Sequence, residues 1–273
     1  MSWQELEKIF NRALSHCFSK QKWLLVFPVL ALCGVVSAIC RTISFGAGQW
    51  IQMSLAFLPI FLCAGFVLAV GLVLTRIYHH EVKGLEVQYF KTIKGSKELF
   101  LGIPYLAVPI IFAFLILWMV LGIFYLLRSI PEIGQFISAM LSFGPFLLVL
   151  GSLGLSFLSL LALFYVTPAA ALKSDLRPQL AEEVFQDLKA NPFLSVIMPL
   201  IGMLPLLFVV GILSLAAVVT QILYIESGHG ISIALKWFFM MLPFCALLTP
   251  AVIFFFNFSA ESHVLMRKTL QKQ

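Results

Sequence analysis

Long apolar stretches alternate with short polar segments along the whole chain. A bilayer core about 30 Å thick needs roughly 20 apolar residues to be crossed as a helix, and six stretches meet that length or come close to it. Because a chain inside lipid must satisfy its backbone hydrogen bonds within helices, the pattern predicts an all-α integral membrane protein with six transmembrane helices. The stretches cover positions 23–40, 51–75, 99–127, 136–167, 193–225 and 233–258.

The polar segments before the first, third and fifth apolar stretches resemble one another. Segments 90–94 and 185–189 both fit Phe-x-x-(Ile/Leu)-Lys, and a proline follows ten residues after each lysine, at Pro104 and Pro199. A looser copy begins at Phe10. This spacing favours three helix-plus-hairpin repeats within one membrane domain, although a biased composition also allows the pattern to recur by chance. The predicted repeats cover 1–75, 76–167 and 168–273.

Apolar positions within these polar segments recur at helical spacing, as at Leu180, Val184 and Leu188. Each segment is therefore predicted to form an amphipathic helix that lies on the membrane surface or packs under the spans. We expect these helices to contact a membrane-protein or cytoplasmic partner. The predicted contact residues are Phe10, Leu14, Phe90, Ile93, Lys94, Phe185, Leu188 and Lys189.

Composition agrees with a membrane protein. The chain is 61% hydrophobic and 11% charged, with a mean hydropathy of +1.03, whereas a soluble globular domain carries about 25% charged residues. Six crossings within 273 residues leave no room for a soluble domain. A single polytopic membrane domain, covering 1–273, is therefore predicted.

The positive charge is concentrated on one side of the predicted spans. The segments before the first span, after the second, after the fourth and after the sixth hold 15 of the 18 Lys and Arg residues. Basic loops stay in the cytoplasm, so we expect a bacterial-type inner membrane protein with both termini cytoplasmic. The same segments hold ten of the twelve acids, which argues against nucleic acid as a partner and favours the lipid bilayer.

Prolines are more prominent in the spans than charges are. Ionisable residues within spans usually mark transport or proton pathways, and none lies near a span midpoint. Prolines remove helix hydrogen bonds and bend helices, but they are also common and tolerated in membrane helices. If the protein is a permease, we expect kinks at Pro104, Pro109, Pro199 and Pro205 to line the path.

Candidate chemistry is sparse. His79-His80-Glu81 places neighbouring side chains on different helix faces, which does not suit a shared metal ion. Glu226 and His229 lie in a short outer turn without an orienting partner, and the five cysteines have no metal-ligand spacing. We therefore predict no catalytic, cofactor or metal site, and expect that the protein is not an enzyme.

Two resemblances bear on function. The stretch from Pro168 through Asn191-Pro192-Phe193 to Met198-Pro199-Leu200 resembles bacterial six-span membrane proteins of the YciC type and the membrane domain attached to some glycerophosphodiester phosphodiesterases. This resemblance, mainly in layout, implies a non-enzymatic envelope or lipid-related module acting through partners. We do not expect phosphodiesterase activity to carry over, because no soluble catalytic domain is present.

The second resemblance is to permease subunits of ABC importers. Their coupling helix follows Glu-Ala-Ala-x3-Gly-x9-Ile-x-Leu-Pro, and alignment on Pro199 places Leu180-Ala181-Glu182 at the first motif. Gln186 stands where that family has glycine. This resemblance implies the alternative function, a permease or transport subunit.

Overall fold

The chain folds into helices throughout the part that the structure describes. A computed structural model describes residues 3–85, 107–128, 143–172, 192–220 and 230–270, with single positions at 89, 92, 130, 134 and 139. No strand occurs in these residues. The seven long helices are α1 (Trp3–Ser15), α2 (Lys20–Ser44), α3 (Gln49–Val82), α4 (Val108–Arg128), α5 (Gly144–Leu172), α6 (Pro192–Val219) and α7 (Gly230–Leu270).

Five of these helices are long and apolar enough to cross a membrane. The predicted all-helical class is therefore confirmed for the described residues, and these helices are compatible with a multi-pass membrane protein. The apolar part of α4, Val108–Phe124, is shorter, and positions 99–106 of the predicted third stretch lie outside the described residues. The sixth crossing therefore stays a prediction. The five membrane-length segments are Lys20–Ser44, Trp50–Val82, Gly144–Ala171, Phe193–Val219 and Ile231–Met266.

Local chemistry explains where several helices begin and end. Ser19 caps α2 by accepting a hydrogen bond from the backbone N–H of Lys22 at 3.3 Å. Gly46, in the turn between α2 and α3, has φ of +78°, a conformation that favours glycine. Pro109 and Pro145 are the second residues of α4 and α5, where proline replaces no intrahelical hydrogen bond.

The other predicted kink positions divide between the described and undescribed parts of the chain. Pro199 and Pro205 both lie inside α6, while Pro104 lies outside the described residues. Pro109 lies in the first turn of α4, where proline is tolerated, so it does not interrupt the described helix.

α7 is the central helix of the bundle and packs against α1, α2, α3, α5 and α6. Its 41 residues correspond to about 62 Å of helix, roughly twice the thickness of a bilayer core. Every residue from 251 to 259 is buried. The predicted sixth stretch ends at 258, but the helix continues to Leu270 and thus extends well past its apolar part.

Aromatic side chains fill the core around α7. Phe254 and Phe258 stack on each other with ring centroids 5.8 Å apart, and Phe164 of α5 packs against the same group. Gly71 of α3 lies directly against the Phe256 ring, so a Cβ atom at position 71 would overlap with it. The absence of a side chain at Gly71 therefore allows α3 and α7 to approach closely.

α4 and α5 form a second packing unit with the first half of α3. Phe61, Phe114 and Trp118 are its buried aromatic residues. The indole Nε1 of Trp118 donates to Ser152 Oγ at 3.1 Å, which satisfies the one polar group that this tryptophan brings into the apolar interior. On the outer faces of α4 to α6, large apolar side chains are exposed, as expected for contact with lipid.

Candidate functional site

The most elaborate polar site lies where α1 packs onto the spanning helices. We call this side of the bundle the α1 end. It comprises α1, the start of α2 and the final turns of α3 and α7. The inner face of α1 buries Ile9 and Ala13, and the Phe10 ring packs edge-on against Phe254 of α7 at 4.9 Å. These contacts place α1 against the bundle.

Charged and aromatic side chains from α1, the turn after it, α2, α3 and α7 meet beneath this contact. We call the group the α1 ion cluster. It contains two carboxylates, two basic side chains, an imidazole and a phenol, and joins segments far apart in the chain. Its members are Arg12, His16, Lys22, Tyr78, Glu81 and Glu261.

Lys22 and Glu81 form the core of the cluster. Lys22 is fully buried, and its Nζ lies 2.6 Å from Glu81 Oε2. The same ammonium donates to the backbone carbonyl of His16 at 3.3 Å and lies 5.1 Å from the centre of the Tyr78 ring. A buried charge is stable only when it is paired and hydrogen-bonded, and Lys22 has both kinds of partner.

Each carboxylate of the cluster receives several donors. The Oε2 atom of Glu81 also lies 3.4 Å from His16 Nδ1, and its Oε1 accepts from the Tyr89 hydroxyl at 3.3 Å. The Oε1 atom of Glu261 accepts from Arg12 at 3.2 Å and from the Tyr78 hydroxyl at 2.8 Å. The cluster therefore ties α1 and α2 to both α3 and α7.

The chemistry of this arrangement is that of ion pairing. Within the described residues, no three His, Cys, Asp or Glu side chains converge in a way that could hold a metal ion. His79 and His80 precede Glu81 on α3, but Glu81 is directed to Lys22 and His16. The cluster therefore acts to position α1 on the bundle.

Sequence reasoning missed this cluster. It treated Arg12 and Lys22 as basic residues that only orient the chain, and ended the second and sixth stretches before Glu81 and Glu261. The available signal was the first acid after each apolar run, Glu81 six residues after position 75 and Glu261 three residues after position 258. Hydropathy alone gives no reason to pair those acids with the N-terminal cations.

The predicted partner-contact residues are only partly described. Phe10 packs inside the protein against α7, whereas Leu14 is 41% exposed on the outer side of α1. The remaining positions lie outside the described residues, so the partner surface stays a prediction. They are Phe90, Ile93, Lys94, Phe185, Leu188 and Lys189.

Cys17 follows α1 and is expected to react slowly with maleimides in the folded protein. It is buried and its thiol donates to the Leu14 carbonyl at 2.8 Å. Burial raises the pKa of the Cys17 thiol, an effect that its backbone hydrogen bond and the Lys22 charge only partly offset, so little reactive thiolate forms. Peptide mapping by mass spectrometry after timed labelling measures the rate, with Ser15→Cys as the exposed control. Equal rates at positions 15 and 17 would contradict the burial of Cys17.

A cavity of about 440 Å³ lies at the other end of the bundle, between α2, α3 and α7. We call it the distal cavity. Arg41, Ser44 and Gln52 lie near its mouth beside the turn between α2 and α3, and Cys33 and Cys63 lie at its inner end, halfway along their helices. Only one feature of the sequence points to it, a basic residue, Arg41, directly after the first apolar stretch.

The mouth of the distal cavity pairs a cation with an aromatic ring. The Arg41 guanidinium carbon lies 5.4 Å from the centre of the Trp237 ring, which is itself mostly buried. Such a contact holds a guanidinium in place without neutralising its charge. The mouth therefore keeps a positive charge at the end of a largely apolar cleft.

Comparisons with known proteins add no relative to this picture. No protein-family model matches the chain, and neither a curated protein nor a solved structure matches it. The α1 ion cluster and the distal cavity are therefore the features from which function is argued.

Proposed function

We propose that this is a multi-pass protein of a bacterial-type inner membrane that acts without catalysis, by binding partners at the α1 end in an envelope- or lipid-related process. The observation that carries the proposal is the way α1 is fixed. Its inner face is buried and its Arg12 is paired with Glu261 of α7, so its outer face is presented in one orientation.

A surface fixed before binding is favourable for recognition, because less conformational freedom is lost when a partner docks. The outer face of α1 exposes Lys8, Asn11 and Leu14, which combine charge, hydrogen bonding and one apolar contact. Surfaces of this mixed kind are typical of non-obligate protein contacts. The predicted contact residues on the second and third polar segments are further candidates for contact with the same partner.

The proposal includes six crossings with both termini on the cytoplasmic side. α1 precedes the first crossing, and its Arg12 pairs with Glu261, which follows the predicted sixth apolar stretch. Two segments on the same side of a bilayer require an even number of crossings between them. A membrane-spanning α4 provides that number, and its 21 residues approach the length a crossing needs. The abundance of basic residues near α1 supports the cytoplasmic assignment.

Site-specific photo-crosslinking in intact membranes tests the partner proposal. A benzophenone amino acid at Lys8 or Leu14 is expected to give discrete protein adducts, while the same probe at Leu150, an exposed apolar position on α5, gives lipid adducts only. Combining the Leu14 probe with Lys22→Met should weaken the protein adduct, because α1 is then less firmly fixed. Lipid adducts alone at all three positions would overturn the proposal.

A permease or transport subunit is the second candidate, and the distal cavity is the observation that favours it. The cavity is lined by Pro59 of α3 rather than by the prolines predicted to line a path. Native mass spectrometry of protein extracted from its own membrane distinguishes the two candidates. A co-purifying ATPase would support the permease and point to positions 181–199 as its docking segment, whereas its absence together with a retained membrane-protein partner would support the first candidate.

A further inference from the structure

The distal cavity has the shape and charge of a site for a lipid. We infer that it binds an amphiphile with an anionic headgroup, with the head at Arg41 and one acyl chain in the apolar cleft between α2 and α3. This inference does not depend on the partner proposed for the α1 end, because the two sites lie at opposite ends of the bundle.

The dimensions of the cavity suit a single chain. Its volume of about 440 Å³ lies in the lower part of the range for small-molecule sites, about 300–1,000 Å³. From Ser44 to Cys33 along α2, and from Gln52 to Cys63 along α3, the cleft follows about 16 Å of helix. It thus reaches from the end of the spanning helices to about the middle of the hydrocarbon.

The walls of the cleft are apolar and open towards lipid. Leu55, Pro59 and Met241 line it, together with Ala56 and Ile60, and Ile60 is 45% exposed on the outer surface of the bundle. An acyl chain can therefore enter sideways from the bilayer without crossing a polar barrier. Burial of its methylene groups against protein replaces contact with neighbouring lipid tails, so the preference for one ligand must come from the head.

Arg41 is the main donor available to that head. Hydroxyl groups beside it donate to their own helix, Ser37 to the Cys33 carbonyl at 3.0 Å and Ser44 to the Arg41 carbonyl at 2.7 Å. The side-chain amide of Gln52 donates to the Ala47 carbonyl at 2.9 Å. A guanidinium carries five N–H donors in a planar fork that suits phosphate and carboxylate oxygens.

Charge complementarity selects an anion. Every carboxylate in the described part of the chain lies at the α1 end, on α1 or in the last turns of α3 and α7. Lys236, near the start of α7, adds a second positive charge at the distal end. An anionic head is therefore attracted to the mouth, and the Trp237 ring keeps the guanidinium over the cleft.

Native mass spectrometry of the delipidated full-length protein tests the inference. Titration with phosphatidylglycerol and with phosphatidylcholine of identical chains is expected to show tighter binding of the first anionic lipid. Arg41→Gln should reduce the ratio of the two dissociation constants about tenfold, which corresponds to the loss of one charge-assisted hydrogen bond. Lys236→Gln removes the same charge outside the cavity and should retain most of the preference.

A second pair of variants tests the cleft itself. Ala56→Trp fills the cleft and should abolish binding of the first lipid molecule, whether phosphatidylglycerol or phosphatidylcholine. Ala216→Trp, at an exposed position on α6, should leave binding of the first lipid molecule unchanged. Glycerol 3-phosphate should fail to displace the bound lipid. Retention of the preference in Arg41→Gln, lipid binding by Ala56→Trp at the wild-type level, or displacement by glycerol 3-phosphate would each overturn the inference.

Discussion

Substitution of Lys22 by methionine is expected to destabilise the folded protein by about 3 kcal/mol, because it leaves one partner of a buried ion pair without its counter-charge. Lys22 is fully buried and Glu81 is 14% exposed. Methionine fills a similar volume, so the loss comes from the charge rather than from packing. Reversible unfolding in mixed detergent micelles of increasing SDS fraction measures the free energy.

Two comparisons separate the ion pair from a general effect of removing lysine. Lys20→Met changes an exposed lysine of the same helix and should alter stability by less than about 0.5 kcal/mol. Lys22→Met combined with Glu81→Met removes both charges and should recover a large part of the loss. Strictly additive losses in the double variant would show that the two side chains do not act as a pair.

Gly71→Leu is expected to prevent α3 from packing against α7. Even a Cβ atom at position 71 would overlap with the Phe256 ring, and that ring is fully buried. Overpacking by a methyl group costs about 1–3 kcal/mol, and a leucine side chain adds several more atoms. We expect Gly71→Ala to be measurably less stable and Gly71→Leu to lose its monodisperse peak in gel filtration.

Gly122 of α4 provides the matched control. No atom lies within 4 Å of a Cβ built at that position, so Gly122→Leu should leave the folded yield and the elution profile unchanged. Phe256→Leu combined with Gly71→Ala should regain part of the stability lost in Gly71→Ala, because the smaller side chain makes room. If Gly71→Leu behaved like Gly122→Leu, the close approach of α3 and α7 would be wrong.

The apolar stretches were sufficient to predict most of the helices. Backbone hydrogen bonding in lipid leaves a long apolar run no alternative to a helix, so the five helices long and apolar enough to cross a membrane follow directly from run length. The amphipathic character of α1 was also predictable from the spacing of its apolar residues. Residues spaced by four drift by about 40° per step around a helix, which explains why Phe10 faces α7 while Leu14 has rotated to the exposed side.

The ends of α3 and α7 could not be predicted in the same way. Both helices continue past their apolar runs, to Val82 and Leu270, because polar residues there find partners in distant parts of the chain. The Lys22–Glu81 pair joins residues 59 apart in sequence, and no local pattern links them. The distal cavity could not be predicted from the sequence either, because it is formed by the gap between α2, α3 and α7.

The contact between α1 and α7 can form only after both helices have been synthesised. Arg12 is synthesised 249 residues before its partner Glu261. The apolar face of α1 that packs against α7 therefore stays uncovered until α7 has been synthesised. A chain truncated before α7 would keep that face exposed to proteases, so the packing of α1 depends on the synthesis of α7.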